Sequence, residues 1–262
     1  VANKSTFKKV EIKELFNEAF AVGINKIDTA TTYNNVHSLL LKIPIISKFE
    51  IISKDKIIPK KIGKFESSFF RVTKSFGRKN LKYFLIHSSN KFIQNKNKIF
   101  EITKKNKRLS NKIGISLYEP NEIKKENLKF FKNIQIPFNI LDRRWKDYLN
   151  KKNVYIRSIY LQGIFFCKEK DIPQNIKSDV VNLKNKLLYL VKKLERINLQ
   201  DLLVNYVRYY KFEGNIFGFD NIQQLRELMF YYNRPILNSD EIKLINKKLK
   251  SSEKVIDPRK WH

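Results

Sequence analysis

Hydrophobic and polar positions alternate along the chain in two rhythms. Ile12, Leu15, Phe16, Ala19 and Phe20 recur at the three-and-four spacing of one helical stripe. Gly23 follows where a helix C-cap belongs. A short apolar run over 24–30 comes next and ends on polar residues. Strand-like runs then appear at 49–54, 81–87, 112–117, 134–140, 154–161 and 215–219. Helical stretches separate them, at about 36–44, 65–77, 92–107, 120–131, 174–194, 199–211 and 221–232. Strands that alternate with helices imply parallel βαβ units. The run Tyr83-Phe84-Leu85-Ile86 is apolar throughout, as befits a strand covered on both faces.

Seven strand candidates behind an opening helix predict an α/β fold, a (β/α)8 TIM barrel whose first strand lies before residue 1. The expectation is an incomplete chain; the alternative is a natural seven-stranded variant. An open doubly wound sheet competes, but it usually announces a Gly-rich turn after its first strand. The seven glycines include neither GxGxxG nor GxxxxGK[ST], so a bound nucleotide must be held another way. No linker-like stretch divides the chain, which reads as a single domain over 1–262.

Charge changes this picture less than its size suggests. Fifty-four Lys and Arg against 25 Asp and Glu give a formal net charge of +29, which by itself points to nucleic acid or an anionic membrane surface. The lysines are spread along the whole chain, however, and the dense stretch 96–112 lacks the aromatic interleaving that stacks bases. A solvated basic surface is expected, with no nucleic-acid partner. Cys167 is the single cysteine, set in an apolar run, so it reads as a structural thiol and no internal disulfide can form. No apolar stretch approaches the roughly 20 residues of a membrane span. No membrane partner is expected, and the expected location is the cytoplasm. No His, Cys, Asp and Glu spacing suggests a metal site.

In a βα-barrel, the side chains at the C-terminal ends of the strands converge on one face. The run over 24–30 ends with Asp28, with Tyr33 in the loop beyond; the next runs end in Lys54 and His87. A phenol is a poor acid at neutral pH. A neighbouring ammonium favours its ionised form, a carboxylate holds the ammonium in place, and an imidazole can donate to a carbonyl oxygen. Each residue alone has an ordinary reading: a loop carboxylate, a rim aromatic, a strand-end lysine, a core histidine. Together they compose a carbonyl-reducing set.

The run Gly23-Ile24-Asn25-Lys26-Ile27-Asp28-Thr29-Ala30 with Tyr33 resembles the GxNxxDTAxxY signature of the aldo/keto reductases. Ile52-Ser53-Lys54, Leu85-Ile86-His87, Ile113-Gly114-Ile115-Ser116, Gln135-Ile136-Pro137-Phe138-Asn139, Arg157-Ser158 and Gln162-Gly163 fall in that family's order, and the ending Asp257-Pro258 with Trp261 is also similar. The stretch from Gln135 to Arg144 resembles the branch associated with surface-sugar biosynthesis. The resemblance implies NADPH or NADH as cofactor and a small-molecule carbonyl as substrate. It implies Tyr33 as general acid, tuned by Lys54 and Asp28, with His87 orienting the carbonyl. By the same resemblance Ser116 and Gln135 hold the nicotinamide amide, Ser158 lies near the pyrophosphate, and Gln224 reaches the adenosine end.

Several positions depart from the family pattern. Asn34 and His37 stand where the family has glycine and an acid, Leu117 replaces an asparagine, and Ile159 a proline. Arg157 replaces an aromatic that stacks on the nicotinamide and can still stack as a flat cation. Gly218, Phe219, Asp220 and Asn221 occupy the phosphate-binding stretch after the last strand; Asp220 either favours ribose hydroxyls over a 2′-phosphate or caps the following helix. His37 is expected on a helix surface. Arg143, Arg144 and Arg157 either hold an anionic substrate group or serve as structural ion-pair partners. The competing function is a non-catalytic ligand-binding barrel derived from a reductase.

Overall fold

The structure is a computed structural model that describes residues 9–57, 61, 63–87, 89–146 and 153–262; Ser88, at the end of the run over 81–87, lies outside them. The chain divides into two compact units, one of Phe7–Ile136 with Asn153–Tyr155, the other of Pro137–Lys152 with Ile156–His262.

The first unit opens with α1 (Lys9–Ala21), whose stripe packs Phe16 and Phe20 edge-on against Phe49, ring centroids 5.8 and 5.4 Å apart. Gly23 ends it with φ +89°, and the N–H of Ile24 returns to the Ala19 carbonyl, as the C-cap position requires. There follow β1 (Lys26–Asp28), α2 (Val36–Leu40), β2 (Glu50–Asp55), α3 (Gly63–Phe76), β3 (Leu81–Ile86), α4 (Ser89–Lys105), α5 (Lys107–Ser110), β4 (Ile113–Ser116), α6 (Lys125–Leu128) and β5 (Asn133–Pro137). Adjacent strands from β1 to β5 pair in parallel. Phe65 and Phe69 of α3 lie on Phe84 of β3, at 4.9 and 5.7 Å between centroids, so the apolar strand is covered as its composition predicts. Gly114 is where β4 comes closest to its neighbours: a Cβ there would stand 2.7 Å from the Asn133 carbonyl oxygen and 3.0 Å from Leu85 Cγ.

The second unit contains the end of β6 (Val154–Arg157), then α7 (Lys177–Lys193), α8 (Leu199–Tyr209), β7 (Gly214–Asn215), α9 (Ile222–Tyr232), α10 (Ser239–Lys248) and α11 (Glu253–Ile256). The Phe138 N–H donates to the Arg157 carbonyl at 3.1 Å and the Ile216 N–H to Ile156 at 2.8 Å. The strands run in the order β1 to β7, seven among the described residues. The core of the second unit stacks Phe138 on Tyr206, sets Tyr210 and Phe212 edge-on to it, and joins α8 to α9 through Val204, Leu228 and Tyr231.

Several expected elements come out shorter. The helix over 120–131 reduces to a 3-10 turn at Pro120–Glu122 and the four residues of α6, because Ile123 between them is extended at φ −151°. The helix over 36–44 stops at Leu40, and Pro44 opens a separate 3-10 turn. The strand over 154–161 ends at Arg157, since Ser158 is left-handed at φ +60°. Helix α10 was not anticipated. Its start carries a capping box, Asn238 Oδ1 accepting from the Glu241 N–H and Glu241 returning to the Asn238 N–H.

Candidate active site

Strand register explains why distant residues meet. Lys54 of β2 lies level with Leu85, Leu85 with Gly114, and Ser116 with Gln135. Side chains two residues apart share a face, so Lys54, His87, Ser116 and Gln135 come to one side. At the edge of this group, the Thr31 N–H donates to the Lys54 carbonyl at 2.8 Å and carries the chain from Asp28 toward Tyr33.

Lys54 is 2% exposed, a cost that burial of an ammonium incurs unless an anion accompanies it. Asp28 supplies the anion: Lys54 Nζ donates to Asp28 Oδ2 in an ion pair. Gln135, wholly buried, closes the cluster. Its Oε1 accepts from Lys54 Nζ at 3.2 Å and from Ser116 Oγ at 3.4 Å, while Nε2 donates to Asp28 Oδ1 at 2.7 Å. The family resemblance implies only a cofactor contact for Gln135; its bonds to both members of the ion pair link residues 107 and 81 positions apart, which no local pattern displays. The Tyr33 ring lies over this pair, with Lys54 Nζ 5.8 Å from its centroid, and meets the His87 ring edge-on at 6.1 Å. Tyr33 is 43% exposed, beside an ion pair whose lysine is buried. The four expected catalytic residues are therefore together.

His37 lies on helix α2, as expected, but is only partly at the surface. It is half-buried, 3.4 Å from the buried Ser53 Oγ and edge-on to Phe76 at 5.1 Å. Burial, aided by the Arg71 charge, holds its imidazole below the usual range against the opposing pull of Asp55.

In the second unit, Arg157 Nη1 donates to Ser158 Oγ at 3.3 Å. The Ile156–Ile216 pairing sets the loops after β6 and β7 side by side, where Tyr160 meets Phe217 at 5.7 Å. Gly218 is exposed, and a Cβ there would meet nothing within 4 Å. The cap reading of Asp220 fails: Asn221 Oδ1 is the group that accepts from the Gln224 N–H at 2.9 Å, because Asn221 holds the N-cap position of α9. Asp220 precedes it, and its N–H donates to Gln224 Oε1 at 2.8 Å. Arg143 and Arg144 are structural. Arg143 donates to Asn246 Oδ1 and the Leu249 carbonyl, both at 2.6 Å, and Arg144 forks onto the buried Asp142 at 2.9 and 2.8 Å. No group of metal-ligating side chains occurs among the described residues, and no described helix is long and apolar enough to cross a membrane.

No family model and no curated protein matches the chain by sequence. Solved structures do match it. An aldo-keto reductase from Bacillus halodurans in its holo form superposes with a TM-score of 0.71 at 18% identity, over 96% of this chain and 92% of that one. Its apo form gives 0.69 at 19% identity, with the same coverage. The fold is that of the aldo-keto reductases. An aldo-keto reductase from Klebsiella pneumoniae, solved in complex with NADPH, gives 0.61 at 11% identity over 91% of this chain and 84% of that one. The seven described strands are thus the strands of a (β/α)8 barrel, as the alternation of runs predicts.

Proposed function

We propose that this aldo-keto reductase fold is an NAD(P)H-dependent oxidoreductase that reduces an aldehyde or ketone to an alcohol, with Tyr33 as general acid. The observation that carries the reading is the Asp28–Lys54–Gln135 cluster, its lysine and glutamine buried, beside the partly exposed Tyr33 ring. A binding protein has no chemical need for that combination; proton transfer does. In this reading Tyr33 gives its proton to the carbonyl oxygen, and the Lys54 ammonium stabilises the phenolate left behind. Asp28 and Gln135 keep Lys54 charged and in place. His87 donates a hydrogen bond that orients the carbonyl.

A nicotinamide dinucleotide, when bound, supplies the hydride that the carbonyl carbon receives. Each unit, taken by itself, carries residues that suit a part of such a group. Ser116 and Gln135 offer a hydroxyl and an amide for the carboxamide. Arg157 and Ser158 offer a guanidinium and a hydroxyl, and Gly218 an open backbone, which is the donor chemistry that phosphates need. Asp220 and Gln224 are assigned to the adenosine end. The Asp220 carboxylate, which accepts from Gln224 Nε2 at 3.5 Å, suits ribose hydroxyls better than a 2′-phosphate, and on this reading NADH is the preferred cofactor. The resemblance of the stretch from Gln135 to Arg144 supports a sugar-derived carbonyl.

Tyr33→Phe tests the assignment. Reduction of a panel of small aldehydes and sugar aldehydes is expected to fall by roughly 10² to 10⁴-fold, with the dissociation constant for cofactor within about twofold of the parent. Undiminished reduction removes Tyr33 from the chemistry. Cofactor binding with no reduction by the parent protein favours the ligand-binding barrel.

A further inference from the structure

The loop after β6 is unusual. Ser158, Leu161 and Gln162 all have positive φ, at +60°, +46° and +55°, and none is glycine. Such conformations persist only where the surroundings over-determine them. At Ser158 the surroundings are specific. Its carbonyl accepts from the Leu161 N–H at 3.0 Å and from Asn139 Nδ2 at 2.9 Å.

Asn139 is 1% exposed, and its amide has matched partners at both ends. Oδ1 accepts from the Leu141 and Asp142 N–H groups, each at 2.9 Å, and the Asn139 N–H donates to the Asp142 carbonyl at 3.1 Å. A carboxylate could accept the two turn bonds; only the amide can also donate to Ser158. The turn is itself anchored, since Asp142 is gripped by Arg144, and Arg143 is tied to Asn246 and Leu249. A rigid, buried donor thus presses on the one residue whose hydroxyl also accepts from Arg157.

We propose that Asn139 is a positioning residue for the dinucleotide: its bond to the Ser158 carbonyl holds Ser158 left-handed and so sets where the Ser158 hydroxyl and the Arg157 guanidinium meet the phosphate groups. This rests on the cofactor reading above. Asn139 touches no cofactor itself; it acts through Ser158.

A double-mutant cycle on the full chain tests it, read as dissociation constants for NADH and NADPH by fluorescence titration, with thermal unfolding alongside. Asn139→Asp keeps the two turn acceptors and removes the donor. It is expected to weaken binding of the preferred cofactor about tenfold. Ser158→Gly removes the hydroxyl and adopts the left-handed conformation without help, so it too weakens binding. In the Ser158→Gly background Asn139→Asp is expected to cost less than about threefold, because the conformation no longer needs the clamp. Should Asn139→Asp fail to fold, Asn139→Ala, which places no charge beside Asp142, takes its position in the cycle. Multiplicative effects of the two substitutions overturn the proposal, as does a lowered melting temperature with unchanged affinity. Cofactor binding by the parent with no change in the variant defeats the Asn139 proposal alone; no binding by the folded parent defeats the cofactor reading and this inference together.

Discussion

Gln135 has the most demanding position at the residue scale. One amide, fully buried, bonds to the carboxylate, the ammonium and the serine hydroxyl of the site. Replacing it with leucine leaves Asp28 Oδ1 without the amide donor and removes one acceptor from Lys54, a loss of about 1–3 kcal/mol for each buried group left short. Gln135→Leu is therefore expected to lower the urea midpoint and to reduce carbonyl turnover together, measured by equilibrium unfolding and steady-state rates. Unchanged values in both would show that the ion pair does not depend on Gln135. That Asp28, Tyr33, Lys54 and His87 come together is legible in the sequence, because each stands at or just past the end of an apolar run. The bridging role of Gln135 is not, since it depends on register across β2, β4 and β5. The partial burial of His37 is not legible for the same reason: its partners Ser53 and Phe76 come from other elements.

Elements are held by end groups as much as by apolar faces. Asn198 caps α8, accepting from the Asp201 N–H at 3.1 Å, and donates to the Tyr231 hydroxyl at 2.5 Å. Asp201, fully buried, accepts from Arg196 at 2.5 Å, Asn205 at 2.7 Å and the Ile197 N–H at 3.0 Å, and Asn205 also donates to the Tyr231 carbonyl. Burial works to raise the carboxyl pKa of Asp201, but the hydrogen bonds from Arg196, Ile197 and Asn205 and the Arg196 charge together hold it below the usual range. A group whose folded pKa is depressed stabilises the fold above its unfolded pKa, about 3.9, and that stability is lost as pH falls through the folded value. Asp201→Asn should cost about 3–5 kcal/mol at pH 7, because it leaves the Arg196 charge uncompensated. Its stability should also fall less steeply than the parent's on acidification below about pH 4. Urea unfolding at pH 7 and pH 3 measures both, and parallel pH dependences would contradict the account. The helix stripes of α1, α3, α7, α8 and α9 were visible in the sequence. Helix α10 was missed because its signal is the capping pair, Asn238 followed three residues later by Glu241, which apolar periodicity alone does not weigh.

On the scale of the whole molecule, the alternation of strand and helix was enough to name the barrel, because parallel strands covered on both faces write themselves as short continuous apolar runs. The division into two units was not legible. Its boundaries fall inside β5 and β6, where no change of composition marks them. The net charge of +29 belongs to the chain as a whole; the proposed site rests on a few polar groups whose charges are matched locally. Cofactor binding is the property on which the account stands or falls. Fluorescence titration of the purified chain with NADH and NADPH, in parallel with Tyr33→Phe, measures it directly. The account predicts saturable binding by both proteins, tighter for NADH, with carbonyl reduction confined to the parent. Folded protein that binds neither cofactor would contradict it.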